Sequence, residues 1–120
     1  MEAKYFFEIG NFNKAYIISK EAFNIDPYNR MAFTILTQSK IAKEWQSFIN
    51  DANKYLDDIE KIANKPIITD KDKIKVKVML EILLEEYKSL KSSNLIPKGL
   101  KQEANKKYKK VKKLYEELFK

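Results

Sequence analysis

Between Gly10 and Pro27 the chain reads GNFNKAYIISKEAFNIDP, with Gly10, Ala15, Ala22 and Pro27 at intervals of five, seven and five residues. No other feature constrains the fold as tightly. A glycine that can close one helix and an Asp-Pro pair that can close the next leave room for only a short helix between them. The small residues along that helix mark where a neighbour comes close. Residues 2–9, EAKYFFEI, read as a short helix ended by Gly10. From Phe12 onward Ala15, Tyr16, Ser19, Ala22 and Phe23 recur at three and four residues down to Ile25, which predicts one buried helical stripe. Asp26 is expected to cap the following turn. Pro27 is expected at the first helical position, where its missing N–H removes no bond.

The same alternation of stripes and stops continues down the chain. A third helix, from about 28 to 43, sets Ala32, Ile35, Leu36 and Ser39 on one side. A fourth, from 45 to 64, sets Trp45, Phe48, Ile49, Ala52, Leu56, Ile59 and Ala63 opposite Asn50, Lys54, Asp57 and Lys61. Lys65 and Pro66 stop it, because proline disfavours helical geometry in the residue before it. Thr69 or Asp70 can cap a fifth helix reaching about Lys91. Its apolar side carries Val76, Met79, Leu80, Leu83, Tyr87 and Leu90, and Val78 and Ile82 widen it enough to predict more than one neighbour. A serine-containing break covers 91–94, and Pro97 opens a last helix with Leu100, Ala104, Tyr108, Val111, Tyr115 and Leu118 on its stripe. This helix should pack along its neighbour as a hairpin. With only two glycines and three prolines, a turn-rich β protein is excluded. The expected fold is all-α: about six helices in antiparallel hairpins. Residues 1–120 form one domain, with helix pairs over 1–64 and a long C-terminal hairpin over 70–120.

On the residues Gly10, Phe12, Ala15, Ala22, Ile25 and Pro27, with the turn Asp26, Pro27, Tyr28, Asn29, the first part of the chain resembles a tetratricopeptide repeat. Phe33 and Leu36 stand at the large-residue positions that would open the next repeat, and the likeness covers roughly the first 43 residues. It implies a right-handed α-solenoid whose first helices line a concave, protein-binding face. The repeat would already be under way at Met1, as in a piece of a longer array. Beyond residue 43 the pattern decays. Thirty-four residues after Ala15, Ala22 and Gly10 stand Ile49, Leu56 and Glu44, and the later helices are longer than the family's usual ones.

The resemblance implies a groove for a protein or peptide partner. Met31, Thr34, Gln38 and Ile41 share an arc about 80° wide on the third helix, and Lys4 and Phe7 precede Gln38 and Ile41 by one repeat length. These six are the candidate groove, and contact of Phe7, Met31 and Ile41 with the later helices is the alternative. Some family members grip a C-terminal carboxylate with lysines and asparagines on successive first helices. That set is missing, so no chaperone-tail clamp is expected. An incomplete repeat would leave an apolar end around Phe6 and Phe7 that offers a route to self-association.

Chemistry is constrained by what the chain lacks. Without cysteine or histidine, the thiol nucleophile, the commonest general base and the commonest metal ligands are missing. No glycine-rich phosphate loop or nucleophile–base pair occurs. Adjacent acids such as Asp57 and Asp58, or Glu85 and Glu86, point about 100° apart on a helix and do not converge on one atom. The expectation is a non-enzyme with no catalytic residues, cofactor or metal, soluble and cytoplasmic, with no leader or membrane segment. The net charge of +7 is concentrated at one end: residues 97–120 hold nine lysines against three glutamates. There Lys106, Lys109, Lys110 and Lys113 form a basic face opposite the apolar stripe. It is either a solvated surface or a module that binds nucleic acid or an anionic membrane nonspecifically. The chain's one arginine, Arg30, lies elsewhere, which disfavours reading of guanine edges.

Overall fold

The computed structural model describes residues 2–93 and 95–119. Two expectations lie partly outside them, at Met1, where the first repeat would be cut, and at Asn94, the end of the 91–94 break. The described residues are all helical in their regular structure, without strands. They form α1 (Glu2–Glu8), α2 (Phe12–Ile25), α3 (Arg30–Ala63), α4 (Asp70–Lys88) and α5 (Lys98–Phe119). Five helices replace the expected six because the third and fourth are one. Residues 41–45, Ile-Ala-Lys-Glu-Trp, contain no glycine, proline or local capping side chain, so nothing interrupts the ladder of i to i−4 bonds.

The helix ends follow their side chains. Gly10 has φ 86°, and the N–H groups of Gly10 and Asn11 donate to the carbonyls of Phe7 and Phe6 at 3.1 and 2.8 Å. This is the paired closure that a left-handed glycine permits. Asn11 then caps α2, accepting from the Lys14 N–H at 3.2 Å. Pro27 does not open a helix. Asp26 Oδ1 accepts from the Tyr28 N–H at 3.0 Å, the Asn29 N–H donates to the Asp26 carbonyl at 3.1 Å, and Pro27 sits inside that turn. Asn29 caps α3 by accepting from the Ala32 N–H at 3.0 Å, so the helix starts later than the proline suggests. Thr69 caps α4 in a reciprocal box: Thr69 Oγ1 accepts from the Asp72 N–H, and Asp72 Oδ2 accepts from the Thr69 N–H, both at 3.1 Å.

The chain forms two compact units, Met1–Trp45 with Lys91–Pro97, and Gln46–Leu90 with Lys98–Lys120. In the first, the ring contact of Phe7 with Phe12 near the turn and the burial of Ala3 with Ala15 further from it make α1 and α2 antiparallel. Phe23 against Phe33 and Lys43 over the Tyr16 ring run the start of α3 antiparallel to α2. Where these helices meet, the residues with no exposed surface are small, Ala3, Ala15, Ser19, Ala32, Ser39 and Ala42, with Phe12 and Ile35 buried beside them. Trp45 closes the unit, its indole N–H donating to the Lys91 carbonyl at 2.8 Å.

The second unit is an antiparallel trio of the remainder of α3, α4 and α5. Phe48, Leu80, Leu83 and Val111 are its fully buried large side chains, each stabilising the fold by about 1.5–3 kcal/mol through removal from water. A ladder of rings crosses it. Phe48 meets Tyr87 at 5.3 Å, and Tyr87 stacks on Tyr108 at 4.1 Å with planes 12° apart. Burial, then the neighbouring Tyr108, pushes the Tyr87 hydroxyl pKa up. Val78 and Ile82, expected to meet a second neighbour, are exposed.

Candidate functional site

In the first unit α1 and the beginning of α3 enclose an open cleft of about 640 Å³. Phe7, Met31, Ile35 and Leu95 give it apolar walls, while Lys4, Glu8, Arg30, Thr34 and Gln38 supply the polar rim. Helix geometry explains the set. Met31, Thr34, Ile35 and Gln38 are neighbours at three- and four-residue spacing on α3, and Lys4, Phe7 and Glu8 are so related on α1. Of the six candidate groove residues the structure gathers Lys4, Phe7, Met31, Thr34 and Gln38 around this cleft. Ile41 is not among its lining residues.

The reason is the connector between α4 and α5. The Ser93 hydroxyl donates to Gln38 Oε1, Leu95 lines the cleft, and Ile96 is buried. Ile41, one turn beyond Gln38, lines a second cleft with Tyr16, Phe23, Leu36, Glu44 and Lys91. Sequence reasoning missed the connector and also Glu8 and Arg30. The signal for the connector was present in the apolar pair Leu95 and Ile96 next to an otherwise polar break. Phe6 and Phe7, expected to form an apolar end, are half-buried, with Phe7 packed on Phe12 and the Lys14 ammonium 4.5 Å from the Phe6 ring centre.

On α5, Lys106, Lys109, Lys110 and Lys113 are exposed, and among the described residues none is in an ion pair. The aromatic residues of that helix point the other way, with Tyr108 stacked on Tyr87 and the Tyr115 hydroxyl 3.4 Å from Glu81 Oε1.

Among the described residues two carboxylates are perturbed, both in the second unit. Asp72 is lowered to about 2, first by its bond with the Lys65 ammonium at 2.8 Å and then by the Thr69 N–H. Glu86 is raised to about 7, chiefly by burial and further by a hydrogen bond with Asp51 and that group's charge. This pairing comes from two different helices, so the adjacency of Glu85 and Glu86 in sequence gave no sign of it. Asp57 is paired with Lys61 at 3.2 Å instead of with Asp58. Among the described residues no group of three or more Asp or Glu could hold a metal ion, and no helix is long and apolar enough to cross a membrane. No protein-family profile, no curated protein and no solved structure matches the chain.

Proposed function

We propose that the chain is a non-catalytic interaction module of tetratricopeptide type, which binds an extended peptide segment of a partner protein in the cleft between α1 and α3. The observation that carries this reading is the cleft itself. Its volume of about 640 Å³ and its apolar walls with a polar rim suit a few side chains of an extended peptide. Lys4 and Arg30 outnumber Glu8 on that rim, which favours a peptide with acidic residues flanking an apolar anchor. The lysine face of α5 offers charge alone, since Tyr108 and Tyr115 are turned towards α4, on the other side of the helix.

The test is selection of random peptides displayed on phage with the full chain, followed by titration of the enriched peptides against the wild type and Met31→Glu. Met31 is half exposed, so the substitution leaves the fold intact. The expected result is enrichment of acidic, apolar-anchored sequences that lose at least tenfold in affinity to the variant. Peptides that bind both proteins equally would refute the assignment of the cleft.

A further inference from the structure

The cleft that takes up Ile41 differs in kind from the one beside Phe7. It lies between α2 and α3, has a volume of about 430 Å³ and is floored by Tyr16, Phe23, Leu36 and Ile41. Tyr16, Lys20 and Phe23 follow at four and three residues along α2, and Leu36, Lys40 and Glu44 at four along α3. Each set therefore occupies one side of its helix.

The rim of this cleft is basic. Lys20 from α2, Lys40 from α3 and Lys91 from the chain beyond α4 stand with a single carboxylate among the lining residues, Glu44. All four are exposed, and among the described residues none is in an ion pair. Lys91 is held at the rim through its own backbone, whose carbonyl accepts from the Trp45 indole N–H at 2.8 Å. Beside the cleft, the ammonium groups of Lys43 and Lys20 lie 4.6 and 5.8 Å from the centre of the Tyr16 ring and add to the positive field. The lysines of α5 form rows on one helix, as a solvated face does. Here lysines from three separate places in the chain border one concave surface with an apolar floor, which concentrates their field.

Three lysines against one glutamate give the lining residues a net charge of +2. A phosphate monoester, at about −1.5 to −2 near pH 7, matches that surplus, and lysine binds phosphate as a point charge. A carboxylate or sulfonate would leave one positive charge over. From this geometry we infer that the cleft between α2 and α3 binds a small phosphate monoester with an aromatic or aliphatic body. The phosphate lies among Lys20, Lys40 and Lys91, and the body rests on Tyr16, Phe23, Leu36 and Ile41. The Asn24 amide at the same cleft supplies a further N–H donor. The volume suits one small molecule. The cleft shares no residue with the peptide cleft, so either assignment can fail without the other.

Isothermal titration calorimetry of the full chain with phenyl phosphate tests the inference. Benzenesulfonate, which keeps the ring and carries about half the charge, and inorganic phosphate, which keeps the charge and lacks the ring, are titrated beside it. Phenyl phosphate is expected to bind one molecule per chain with a dissociation constant below roughly 1 mM, and each of the other two at least about fivefold more weakly. Lys20→Gln and Lys40→Gln should each weaken phenyl phosphate binding roughly three- to fivefold, and together about tenfold or more, with circular dichroism confirming helicity. Met31→Glu, in the other cleft, should leave it unchanged. Absence of saturable binding, benzenesulfonate or inorganic phosphate binding as tightly as the ester, or lysine variants that bind like the wild type would each overturn the inference. A short phosphotyrosine peptide that binds more tightly than the free ester would assign the cleft to a protein partner and overturn it as well.

Discussion

Glu44→Pro is the sharpest perturbation of the architecture. Glu44 is exposed in the middle of α3, so no core contact is at stake. In an uninterrupted helix its N–H bonds the carbonyl four residues back, and a proline removes that bond while its ring strikes the same turn. The expected cost is about 3 kcal/mol, whereas Glu44→Ala at an exposed helical site stays within about 0.5 kcal/mol of the wild type. With a urea dependence of roughly 1–3 kcal/mol/M for a chain of this size, the proline variant's midpoint falls by roughly 1–3 M. Urea titration followed by far-UV circular dichroism measures this directly. A repeat junction at 43–45 would accept proline as readily as alanine. Equal midpoints for the two variants would therefore refute the continuous helix.

The two perturbed carboxylates predict opposite pH dependences. Asp72, lowered to about 2 by Lys65 and Thr69, has its ordinary pKa near 4 when unfolded, so its contribution is complete above that and lost as pH falls through 2. Asp72→Asn should lower Tm near neutral pH and have little effect at about pH 2, and an equal loss at both would show that the contacts are not electrostatic. Glu86, raised to about 7 by burial and Asp51, is favoured in its protonated form. That contribution is complete below about pH 4 and lost as pH rises through 7. Glu86→Gln should thus raise Tm at alkaline pH and leave it unchanged near pH 4, as thermal melts across that range would record.

The helix signals were legible wherever they were local. Gly10 ends α1, Phe12 begins α2 and Thr69 caps α4, because each needs only its own neighbours within a turn. The break expected near residue 44 was read from the change of apolar stripe between Ser39 and Trp45, which a single helix can also carry. Locally, Lys43 and Glu44 are good helix formers and nothing stops them. Pro27 misled in the opposite sense, since its fixed φ serves a turn as well as it serves a first helical position. The grouping of Lys4, Phe7, Met31, Thr34 and Gln38 was readable because α1 and α3 each repeat every 3.6 residues, and one face can be followed along each. Leu95 was not readable with them. Nothing in a sequence says that residue 93 will hydrogen-bond to residue 38.

Trp45 gives the molecule a built-in reporter. It is the chain's single tryptophan, only 8% exposed, and its indole is bonded to the Lys91 carbonyl. Its emission therefore follows the seating of the connector and the integrity of the first unit. The near-UV ellipticity sums the aromatic residues of both units, the stacked Tyr87 and Tyr108 among them. A single melt watched at both signals can set the opening of the first unit against that of the whole chain, with no label attached and no residue replaced.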